Sequence, residues 1–157
     1  MQPSAPSASL FVSLRFVVGL LAAAVAVLAM DGVMTRLPEG ETSPRVAAGV
    51  LTRTVPRDAP GRLASVVHYL AGGLTGPLFV WLLFAVEAAV GGRSPLATAL
   101  ATLALYALMV GFFAVVVLPR SRVAPDRVDR IRRDWALAAA GYVAVLAPAV
   151  TVGTGLL

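Results

Sequence analysis

The chain has no cysteine and no lysine, a single histidine, and only 13% charged residues. Without cysteine there are no disulfides, no thiolate metal sites and no thiol redox chemistry, and the redox compartment stays open. One histidine, His68, also excludes bis-histidine haem ligation, a zinc cluster and a quinone-linked dithiol site. No Gly-x-Ser-x-Gly elbow and no Walker A loop is present, so neither a hydrolase nor a nucleotide motif supports an enzymatic assignment. No cofactor and no metal is expected. Soluble domains carry about 25% charged residues. A chain at half that level, with 59% hydrophobic residues and a mean hydropathy of +0.86, belongs with the proteins of the bilayer.

What is there is four apolar runs. They cover about 10–30, 63–90, 96–118 and 135–157, and the last two contain no charge. In the second, the 18 residues from Tyr69 to Val86 span roughly 27 Å as a helix, close to the roughly 30 Å hydrocarbon core. The expected fold is all-α: an integral membrane four-helix up-down bundle forming a single domain over residues 10–157, behind a disordered Pro/Ser tail at 1–9. A cleaved signal peptide is the rival reading of the first run. Its lead region lacks Lys and Arg, and Arg15 interrupts the apolar stretch, which favours a retained span.

The arginines mark the sides. Segment 31–62 holds five, segment 119–134 holds six, and the 91–95 hairpin holds one. By the positive-inside rule both long segments face the cytoplasm and both termini lie outside, in the cytoplasmic membrane. The net charge of +5 is thereby explained without a nucleic-acid partner. Within the loops, Ser43-Pro44 predicts a capped surface helix, Asp58 an N-cap for span two, and Ser94-Pro95 a capped start for span three. Asp126, Asp129 and Asp134 alternate with Arg and read as a solvated face.

Span two is the expected hub. It carries Gly72, Gly73, Gly76 and Pro77, offering close packing through Gly72 and Gly76 and a kink at the proline, with the Thr75 hydroxyl free to bond a nearby carbonyl. Gly19 with Ala23, Ala97 with Ala101, Ala107 with Gly111, and Ala136 with Ala140 repeat the small-residue spacing elsewhere. Four ionisable residues lie in or beside the first two spans. Antiparallel helices bring Arg15 level with Glu87 and Asp31 level with His68, giving one cross-helix pair at each boundary. The alternatives are that Arg15 snorkels to water, that Asp31 ends its helix at the headgroups, and that His68 with Tyr69 is an interfacial anchor.

Met30-Asp31 closing the first span, the RLPEGETSPRVAAGVLT segment, and His68-Tyr69-x-x-Gly72 opening the second resemble an uncharacterised group of small four-span membrane proteins. These occur in haloarchaea and, in more distant form, in bacteria. The resemblance covers roughly residues 20–90. It implies a four-helix membrane fold with no assigned activity, and it marks Asp31, His68 and Gly72 as positions to test. The leading expectation is a structural or partner-binding membrane subunit, contacting lipids and either a second copy of itself or a co-transcribed membrane protein. A small proton, cation or solute carrier using Glu87, His68 and Asp31 is the alternative, and a lipid-modifying enzyme using Asp31, His68 and the arginine-rich loop the lesser one.

Overall fold

The computed structural model describes residues 8–157. Among them there is no strand. Five helices follow in order: α1 (Ala8–Met34), α2 (Thr42–Thr52), α3 (Gly61–Val90), α4 (Pro95–Phe112) and α5 (Pro125–Gly155). The helices α1, α3 and α5, together with Pro95–Arg120, are long and apolar enough to cross a membrane. Ala8 and Ser9, expected within the tail at 1–9, belong to α1; the rest of that expectation falls on residues 1–7, which lie outside the described part.

Helix ends follow local chemistry in some places and depart from it in others. Ser94 accepts a hydrogen bond from the Ala97 N–H and Pro95 opens α4, as that dipeptide predicts. Gly91 ends α3 in the left-handed conformation, at φ 87°. The two other caps are corrected. Helix α2 begins two residues early, at Thr42, and Ser43 caps nothing; its hydroxyl is buried without a partner. Asp58 sits in a separate 3₁₀ turn at Pro56–Asp58, and α3 starts after Pro60. Span three tightens and loosens at its end, through a π-turn at Phe113–Val117 and a 3₁₀ turn at Leu118–Arg120. Span four continues the amphipathic helix begun at Pro125, with Ile131 buried against Val128 and Trp135.

Helix α3 continues through Pro77, and the Thr75 hydroxyl donates to the Ala71 carbonyl at 2.7 Å. It is not the hub. Helix α1 packs against both α3 and α5, while α4 packs against α3 and α5 from the far side. The hydrophobic stretches of α5 and α1 are the most buried, 39% and 33%, against 22% for α3. The reason lies in small residues at the two contacts that α1 makes, with α3 and with α5. On one, Gly19 and Ala23 meet Gly76: a Cβ on Gly19 would stand 3.0 Å from the Gly76 carbonyl oxygen, and one on Gly76 would stand 2.6 Å from the Ala23 Cβ. On the other, Gly141 and Gly153 of α5 receive Val33 and Val18. Gly72 receives Val27, whereas Gly73 and Gly111 face open space. Ala97 and Ala101 are fully buried. Leu20, Leu28, Leu70, Trp81, Leu103 and Phe112 point outward, where only an apolar surrounding suits them.

Candidate functional site

Two polar clusters join α1 to α3, one at each end. At the hairpin end Arg15 donates through Nη1 and Nη2 to both oxygens of Glu87, at 2.8 and 2.9 Å. The guanidinium lies 4.2 Å from the centre of the Phe84 ring. Arg15 is 2% exposed, so it does not snorkel. A planar fork on a carboxylate is the geometry that makes burying two opposite charges tolerable. Arg93 of the hairpin comes within 3.9 Å of Glu87 and donates to the Thr154 carbonyl at 3.3 Å, drawing the end of α5 into the same cluster.

At the other end Asp31 Oδ1 lies 2.7 Å from His68 Nε2, and the Tyr69 hydroxyl donates to Asp31 Oδ2 at 2.9 Å. Asp31 is not a helix terminus, since α1 runs on to Met34. His68 is nearly buried, 9% exposed against 30% for Asp31. These residues border a polar cavity of about 340 Å³ that also contains Arg45, Glu41 and Ser65. An imidazole oriented by a carboxylate is half of a base-catalysed site. In the same cavity the Ser65 hydroxyl donates to the Gly61 carbonyl at 3.2 Å.

Sequence reasoning missed a third cluster. The Glu39 carboxylate accepts from Arg127 Nε at 2.8 Å and Nη2 at 2.6 Å, and from the Thr42 hydroxyl at 2.7 Å. The Glu39 N–H donates to Asp134 Oδ2 at 2.8 Å. Asp134 is completely buried, which corrects its reading as part of a solvated face; Asp126 and Asp129 are exposed as expected. The signal was the position of Asp134 one turn after Ile131 on the buried stripe. The hydrogen bond from Arg127 holds the Glu39 carboxyl below the usual carboxylate range, against the opposing effect of burial. Also missed was Tyr142, fully buried in a charge-free span, whose hydroxyl donates to the Gly72 carbonyl at 2.6 Å and so ties α5 to α3.

Among the described residues no group of three or more His, Asp or Glu side chains is placed to hold a metal ion. Comparison of the chain with protein families, curated proteins and solved structures finds no match. The likeness carried by Met30-Asp31 and His68-Tyr69-x-x-Gly72 therefore rests on those residues alone.

Proposed function

We propose that the chain is a multi-pass protein of the cytoplasmic membrane that serves as a non-catalytic subunit, an up-down four-helix bundle with both termini outside. Segments 31–62 and 119–134 face the cytoplasm in this reading, and the partner is either a second copy or a co-transcribed membrane protein. One observation carries it: the carboxylates at membrane depth are spent on holding helices together. Glu87 is locked by two bonds from a buried Arg15, and Asp31 is held by His68 and Tyr69. A carrier needs such a group free to take up and release its ion.

The experiment is purification in mild detergent followed by reconstitution into liposomes. A subunit gives no proton or cation flux and brings a stoichiometric partner, or forms a defined oligomer. A pH-dependent flux abolished by Glu87→Gln or His68→Ala would overturn the proposal in favour of transport.

A further inference from the structure

A second cavity, of about 230 Å³, lies behind the polar one, walled by α2, α3, α5 and the end of the third span. Its lining is almost wholly apolar, including Leu78, Met109, Phe113 and Trp135, and at Ala71 and Phe112 it reaches the outward-facing surface. The two cavities share His68 and Pro44. A charged compartment at the boundary thus adjoins a greasy one at depth across His68 and Pro44, and both are adjacent to where lipid would stand.

We propose that this double cavity binds one membrane lipid, with a hydrocarbon chain in the apolar compartment and the polar headgroup against Arg45, Asp31 and His68. The charges fit such an occupant: Arg45 faces a phosphate, and Asp31 and Glu41 leave room for a cationic or hydroxylated head and disfavour a purely anionic one. The chain length that fits is set by the depth from Ser43 to Trp135. Entry is sideways, between α3 and the end of the third span, past Ala71 and Phe112. The inference needs the chain to lie in a bilayer, but it is independent of whether the protein is a subunit or a carrier.

Trp135 provides the test, because the only other tryptophan, Trp81, faces outward on α3. In Trp81→Phe protein reconstituted with phospholipid brominated along its chains, Trp135 loses most of its emission. Ala47→Leu fills the cavity and restores the emission several-fold while leaving the outer surface unchanged. If Ala47→Leu does not fold by circular dichroism, Ala71→Leu at the mouth replaces it. Native mass spectrometry of the full chain then shows a single glycerol-based lipid adduct, which Arg45→Gln weakens several-fold. Quenching indifferent to the filling variants overturns the proposal. So does a purified chain with no adduct, or with an adduct lacking a glycerol backbone, such as a quinone.

Discussion

Gly76 of α3 lies against Gly19 of α1 so closely that a Cβ on Gly76 would overlap the Gly19 carbonyl oxygen. The obstacle is backbone, which cannot rotate away. Gly76→Ala therefore forces α1 and α3 apart and costs about 1–3 kcal/mol or more, as overpacked sites do. Gly73, one turn earlier on the same helix, faces open space. Gly73→Ala is neutral or stabilising by up to about 1 kcal/mol, from helix propensity. Unfolding of both variants in bicelles checks this. Equal costs would mean that the glycine seam is not where the helices touch.

Arg15 and Glu87 make a second pair of linked predictions. Glu87→Gln leaves a guanidinium that is 2% exposed facing a neutral amide, and Arg15→Gln leaves the carboxylate in the same position. Removing one partner of a buried pair costs roughly 3–5 kcal/mol, while replacing both by apolar residues of similar volume is often neutral. Each single variant should lower stability by that order, and Arg15→Leu with Glu87→Leu should recover most of the loss. A double-mutant cycle reads the coupling directly. Coupling near zero would remove the pair from the list of forces that set the register of α1 on α3.

Much of this architecture was legible in the chain. Four apolar runs gave four long helices, and antiparallel counting from Arg15 to Asp31 and from His68 to Glu87 put the right residues at the same depth. Two things escaped. The neighbour order of the helices is set by which faces are small, and Gly141 and Gly153 lie twelve apart in α5, a spacing no local motif flags; α5 and α1 are consequently more deeply buried than α3, the expected hub. Caps also misled, because Ser43 and Asp58 have the right chemistry but tertiary contacts decide where a helix begins. Asp134 was hidden by its neighbours Arg132 and Arg133, since alternating charge resembles a wet face even where one side of the turn is buried.

Glu39 gives the fold a pH dependence with a definite sign. Its carboxyl titrates below its ordinary value of 4.5 in the folded chain, chiefly through the bond from Arg127 and with help from Thr42. A lowered folded-state pKa contributes stability that is fully present above the unfolded value and is lost as pH falls through the folded one. The link between segment 35–41 and the start of α5 should thus be constant from neutral pH down to about 4.5 and weaken below it. Arg127 is 42% exposed, which discounts the effect to the order of 1 kcal/mol. Hydrogen exchange of the Glu39 amide, which bonds Asp134, reports it. Glu39→Gln should show the weakened link already at neutral pH and a smaller change on acidification. The same acid response in both proteins would assign the effect to another group.

The sidedness of the chain can be settled because it contains no cysteine to remove first. Arg57 is 86% exposed in the segment between α2 and α3, and Leu157 follows the last turn of α5. Eleven arginines in the two long segments against one in the hairpin predict that the first position faces the cytoplasm and the second the outside. Arg57→Cys in intact cells should resist a membrane-impermeant maleimide until the cells are lysed, while Leu157→Cys should react at once. Neither change touches a helix contact, so stability should move by less than about 0.5 kcal/mol. Labelling in the opposite order would turn the molecule over, placing Asp31, His68 and Arg45 at the outer surface, where the lipid in the proposed cavity would come from the other leaflet.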